Sequence, residues 1–200
     1  MNILEKLSNF KNSFEGGAPN NGFTNETIRT AVDLWIRNRD QAIREYGDIN
    51  TWNVSQVTDM NQLFRNRSTF NDDISNWDVG NVTTMQEMFS YASRFNQPLE
   101  QWNVGNVTNM LHMFYDATDF DQPLEQWNVS NVTNMQGMFY NASAFNQPLE
   151  QWNVNDMVNM TLMFHGASAF LQRYPNIDED PRSVFITSAQ TNTSNSIAFD

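Results

Sequence analysis

Large apolar side chains return on a fixed step of 25 residues between positions 46 and 170. Trp52, Trp77, Trp102, Trp127 and Trp152 are one such series, and Val54, Val79, Val104, Val129 and Val154 are a second. Met60 to Met160, Phe64 to Phe164 and Phe70 to Phe170 keep the same step without insertion or deletion. The units therefore run 46–70, 71–95, 96–120, 121–145 and 146–170. A period of this length marks a stacked-repeat architecture, in which a unit buries its apolar face only against its neighbours.

Two shorter periods meet inside a unit. In 96–120, Leu99, Trp102 and Val104 outline an extended segment with Asn103 turned the other way. Met110, Met113, Phe114 and Ala117 follow at helical spacing and predict one or two turns of helix. Thr83 with Gln86, and Thr133 with Gln136, read as capping boxes for that helix. Pro98, Pro123 and Pro148 precede the extended segment, where a missing N–H is tolerated. The fold class expected is thus an α/β repeat: a right-handed, leucine-rich-repeat-like solenoid of five strand–turn–short-helix units. Its strand segments would pair in parallel at about 4.8 Å per turn.

The flanks read differently. Ile28, Val32, Trp35, Ile36, Ile43 and Tyr46 fall broadly on one helical face that ends at Gly47, which predicts an N-terminal helical cap over 23–45. Residues 1–22, with Gly16-Gly17-Ala18-Pro19, are expected to be a flexible leader. Unit five degrades where Asp156-Met157-Val158 replaces the Asn-Val-Thr of 106–108. Residues 171–187 are expected to form a C-terminal cap and 188–200 a mobile tail.

Composition and charge narrow the function. The net charge is −12, and no Lys or Arg occurs between Arg94 and Arg173. Nucleic-acid affinity and attraction to anionic lipid both depend on clustered Lys and Arg, so neither partner is expected. No apolar run approaches the roughly 20 residues of a membrane span. The chain has no Cys, which removes disulfides, Cys-ligated zinc and a thiol nucleophile.

The string Trp-[Asn/Asp]-Val-x-Asn-Val-Thr-x-Met-x-x-Met-Phe, followed by Ala-x-x-Phe-[Asn/Asp]-Gln-Pro-Leu, resembles the BspA-like leucine-rich-repeat surface proteins and the repeat of mycoplasma-type surface lipoproteins. The resemblance covers residues 46–170. It implies the solenoid, a place at the cell surface or outside the cell, and a role in adhesion or protein–protein interaction without catalysis. Met1 to Phe14 carries no apolar run of signal-peptide length and there is no lipid-acceptor Cys, so virion and intracellular settings stand beside the surface one.

The residue chemistry agrees with binding rather than catalysis. His112 and His165 are the only histidines, and they sit at different repeat positions with no motif to bring partners to them. Asp72-Asp73 is the nearest approach to a paired-carboxylate signal, and Asp-rich turns are common without metal. The Asn-x-Ser/Thr sequons at Asn53, Asn81, Asn106, Asn131 and Asn141 arise from the template, and the amides of Asn81, Asn106 and Asn131 are expected to bond backbone at a turn. Tyr91, Tyr115 and Tyr140 are an exposed aromatic stripe in waiting. The candidate partner-binding row is Glu100, Gln101 and Asn103 with Glu125, Gln126, Asn128, Glu150, Gln151 and Asn153. These are outward polar positions repeated every 25 residues, suited to a protein partner. Self-association, as a structural component of a virion or surface layer, is the alternative. No cofactor or metal is expected, although a Glu column is the kind of oxygen donor that Ca²⁺ prefers.

Overall fold

The structure is a computed structural model whose described residues are 22–175, 177 and 181–185. The expected leader (save Gly22), the tail and part of the C-terminal cap lie outside them. The 25-residue register is visible at once in the core. Phe64, Phe89, Phe114, Phe139 and Phe164 stack nearly parallel, with ring centroids 5.5–5.7 Å apart. The Phe70 to Phe170 column runs beside it, with in-unit partners such as Phe114 and Phe120 at 4.0 Å. Each indole N–H from Trp77 onward donates to a carbonyl 28 residues earlier: Trp77 to Ile49 (2.8 Å), Trp102 to Ile74 (3.2 Å), Trp127 to Leu99 (2.9 Å) and Trp152 to Leu124 (2.8 Å). Full burial of a Phe or Met is worth about 1.5–3 kcal/mol, so the columns are a main source of stability.

The units are not strand–turn–helix, and the leucine-rich-repeat-like solenoid is overturned. Among the described residues no strand forms, and no helix occurs between Trp52 and Ala167. Pairing registers only as isolated parallel bridges, Asp59 to Thr84 and onward through Asn109, Asn134 and Asn159. The backbone explains why. In unit three the N–H groups of Met110, His112, Phe114 and Asp116 donate to Asn134, Gln136, Met138 and Tyr140 of the next unit at 2.8–2.9 Å. The N–H groups between them close tight turns: Met113 to Met110, Tyr115 to His112 and Ala117 to Phe114. A helix would need those donors for its own i→i−4 bonds.

Two residues per unit also reverse the backbone hand. Gln62, Glu87, His112, Gly137 and Leu162 form one column of positive φ, and Asn66, Tyr91, Asp116, Asn141 and Gly166 form another, all between +53° and +73°. A right-handed helix cannot pass through such positions, whereas turns with their third residue at positive φ use them. At Gly137 a Cβ would meet Cδ2 of His112 at 2.5 Å, so the imidazole would have to shift to admit one. The spacing Met110, Met113, Phe114, Ala117 still turns every one of these side chains into the core. It reaches that result through turns.

The supposed capping boxes dissolve for the same reason. The Thr83 hydroxyl donates to the Thr58 carbonyl (3.1 Å) and that of Thr133 to Thr108 (3.1 Å), across units rather than within one. The extended segment is likewise two turns, closed by Trp102 N–H to Leu99 (3.0 Å) and Val107 N–H to Val104 (2.9 Å). Trp102 and Val104 point inward and Asn103 outward.

Among the described residues helices occur only at the ends. α1 (Asn25–Arg37) starts at Thr24, which forms a capping box with Thr27. α2 (Arg39–Tyr46) follows after Asn38, whose extended backbone splits the helical segment and whose side chain caps Gln41 N–H (3.1 Å). Ile28, Val32, Trp35 and Tyr46 are buried against unit one, Ile36 is partly buried, and Ile43 faces solvent. At the far end α3 (Ser168–Arg173) buries Phe170, and a 3₁₀ turn at Pro181–Val184 brings Phe185 onto Trp152, stacked at 6.1 Å.

Candidate interaction face

Glu100, Glu125 and Glu150 occupy one turn position in three successive units. Each follows a buried Leu (99, 124, 149), and each turn is closed by the following Trp N–H at 3.0 Å. Gln101, Gln126 and Gln151 are exposed beside them, and so are Asn103, Asn128 and Asn153. The asparagines are oriented by their own turns: Asn103 Oδ1 accepts from Gly105 N–H (3.2 Å), and Asn128 Oδ1 accepts from the N–H (3.2 Å) and hydroxyl (2.8 Å) of Ser130. A preset rotamer reduces the entropy lost when such a side chain meets a partner.

The Glu column is uneven. Glu100 is exposed and Glu125 half-buried, while Glu150 is engaged by the C-terminal segment. The Tyr174 hydroxyl donates to Glu150 Oε1, and Arg173 stands 3.8 Å away. Burial acts to raise the Glu150 carboxyl, but the Tyr174 hydroxyl and the Arg173 charge outweigh it and hold the group below its ordinary value. Tyr174 is pushed up to about 12 by burial and by the carboxylate that accepts its proton.

Unit five also departs from the template around Asn153. In earlier units the second buried Val lies three positions after the first, as in Val129 and Val132. Here Val158 takes that place, four positions after Val154, and Met157 swings out to 87% exposure. The slipped loop opens a hollow of ≈ 580 Å³ lined by Ser130, Asn153, Val154, Asn155, Asp156 and Met157. The sequence shows the altered triplet, and the signal for the slip is the lengthened Val-to-Val interval.

The other polar candidates are structural. Asn81, Asn106 and Asn131 donate their amides to the carbonyls of Ser55, Gly80 and Gly105 at 2.7–2.8 Å. Asn53 caps Ser55, and the Asn141 amide bonds Asp116. A further column absent from the sequence reading joins the first residues of the units. Asn71, Asn96 and Asp121 each accept from the next unit's backbone N–H and from its Gln side chain at 2.7–3.0 Å. Asp72 holds Trp35 Nε1 (2.9 Å) and Arg39, while Asp73 holds Ser75 N–H and Asn50, so the two carboxylates serve different partners. Among the described residues no group of three or more His, Asp or Glu side chains is placed to hold a metal ion.

The tyrosines do form a stripe. Tyr91 and Tyr115 lie 5.4 Å apart, Tyr115 and Tyr140 stack at 4.6 Å and 2°, and His165 continues the line at 4.9 Å. His112 meets Tyr115 edge-on at 5.0 Å. Tyr115 and Tyr140 use their ring faces on each other, and Tyr91 leans on Tyr115 at 51°, which makes a poor platform for a sugar face. Both histidines are held by aromatic neighbours.

No helix among the described residues is long and apolar enough to cross a membrane. The family described as "Mycoplasma protein of unknown function, DUF285" matches residues 37–131 and again 104–194. No curated protein and no solved structure matches the chain.

Proposed function

Because the chain belongs to the DUF285 family of Mycoplasma proteins, and because its regular outer row is polar with Asn103 and Asn128 fixed by their turns, we propose that it is a non-enzymatic surface repeat protein that binds another protein. The observation that carries the reading is the repeated outward set Glu100, Gln101, Asn103 and Glu125, Gln126, Asn128, in which the turns orient Asn103 and Asn128, continued by Gln151 and by Asn153 at the hollow of unit five. Glu150 belongs to the row by position, but it is committed to Tyr174 and Arg173. The acidic balance favours a partner with a basic surface, through steering of the encounter.

The test is capture from a membrane-protein extract on the immobilised chain, with Glu100→Lys/Glu125→Lys as control. The reading expects a protein enriched by the wild type and lost by the variant, with unchanged melting temperature. Equal capture by both would remove this face from consideration.

One observation favours self-assembly as a second reading. The N–H groups of Met160, Leu162, Phe164 and Gly166, whose counterparts in unit four bond forward, have no acceptor among the described residues, and Leu162 is 53% exposed. Concentration-dependent oligomers in light scattering, abolished by Leu162→Arg, would support that reading over the first.

A further inference from the structure

The chain has eleven methionines, and those among the described residues divide sharply. Met60, Met85, Met88, Met110, Met113, Met135, Met138, Met160 and Met163 are at most 6% exposed, whereas Met157 is 87% exposed. The register slip makes the difference. Val158 fills the core position that Val132 fills one unit earlier, its N–H bonds Asn155 (3.1 Å), and Arg182 fastens its carbonyl (2.9 Å). Met157 is left on a turn held by Asn155 Oδ1 accepting its N–H (2.8 Å), and it lines the hollow with Asn153 and Asp156.

We propose that Met157 is a reversible oxidation site for peroxide. The sulfur lone pair attacks one peroxide oxygen, the O–O bond breaks, an S–O bond forms and water leaves; sulfur loses the two electrons that the peroxide gains. A reductase of the methionine sulfoxide class reverses the step, two thiols becoming a disulfide as the oxygen leaves as water. Exposure on a surface turn gives both reagents access. The nine core thioethers are closed off by the columns they belong to, where a sulfoxide would put a dipole among Phe rings. Oxidation at Met157 turns an exposed apolar side chain into a polar acceptor at the edge of the Asn153 hollow, and leaves the stack intact.

The experiment treats the full chain with hydrogen peroxide and follows each Met by peptide mass spectrometry, scoring Met1 separately, alongside thermal melts. Met157 is expected to oxidise at about the rate of free methionine, and the nine core residues at least about tenfold more slowly. The melting temperature is expected to hold, a sulfoxide reductase with dithiothreitol to restore Met157, and Met157→Leu to remove the fast event. Core methionines oxidising as fast as Met157, a melt that collapses once Met157 is oxidised, or a sulfoxide the reductase cannot reach would each overturn the proposal.

Discussion

The two ends of the stack solve the same problem in opposite ways. Inside the stack, Thr83 N–H finds the carbonyl of Thr58 one unit back, and the carbonyls of Thr84 and Gln86 accept from Met60 and Gln62. Unit one has no unit behind it, and α1 supplies side chains instead. Asn25 Oδ1 accepts from Thr58 N–H (2.8 Å), where the carbonyl of a preceding Thr would sit. The Arg29 guanidinium donates to the carbonyls of Asn61 (2.6 Å) and Asp59 (3.4 Å), where two backbone N–H groups would sit. At unit five, Arg182 and Phe185 close the Trp152 side, but the row from Met160 to Gly166 keeps four N–H groups without acceptors among the described residues. A repeat edge can therefore be finished by side-chain mimicry, and among the described residues one edge is finished far more completely than the other.

The largest expected contrast comes from the apolar anchors. Trp35 is buried, bonds Asp72 through its indole N–H and meets Trp52 edge-on at 5.7 Å. Trp35→Ala is expected to cost about 3–5 kcal/mol in denaturant unfolding. A loss below ~1 kcal/mol would mean that the helical cap contributes little to the stack.

Next in size is the mimicry itself. Arg29→Met keeps the length of the side chain but strips two carbonyls of their donors, at an expected cost of about 1–2 kcal/mol given its partial exposure. Hydrogen exchange gives the companion readout: the amides of Met160, Leu162, Phe164 and Gly166 should exchange well before those of Met135, Gly137, Phe139 and Asn141, which bond forward. Equal protection of the two rows would erase the difference between the ends.

A smaller effect is expected from pH at the C-terminal end. Glu150 has a folded pKa below its ordinary value, so its contribution is complete above the ordinary carboxylate range and is lost as pH falls through the lowered folded value. Tyr174, pushed up to about 12, contributes below its ordinary phenol value and loses that contribution as pH rises toward 12. Glu150→Gln should flatten the acid side of a melting-temperature profile recorded from about pH 3 to 6. A variant profile parallel to the wild type would exclude Glu150 as the origin of that acid limb. The smallest effect is Leu162→Ser, expected within about 0.5 kcal/mol of wild type, as for a side chain more than half exposed.

Much of this was legible in the chain because a 25-residue step needs no structural assumption. The apolar columns, the inward Trp and Val with outward Asn, and the backbone bonding of Asn81, Asn106 and Asn131 all follow from position alone. The local conformation was not legible, for a definite reason. Met110, Met113, Phe114 and Ala117 are inward at helical spacing whether the backbone is a helix or a run of turns, so periodicity does not separate the two. The discriminating residues are those at positive φ, and Gln62, Glu87, Tyr91 and Leu162 carry no sign of it. Only Gly137 and Gly166, with Asn66, Asp116, Asn141 and His112, hint at it column by column. At the candidate face, the capture of Glu150 by Tyr174 depends on a segment beyond the periodic region, which the repeat template does not reach.

The central claim is that successive units are joined by alternate backbone N–H groups reaching forward, with turns in place of helix. Couplings across hydrogen bonds, read by NMR, test it most directly. The account predicts couplings from the amides of Met110, His112 and Phe114 to the carbonyl carbons of Asn134, Gln136 and Met138. Coupling of Phe114 N–H to the carbonyl of Met110 instead, four residues back as in a helix, would contradict it.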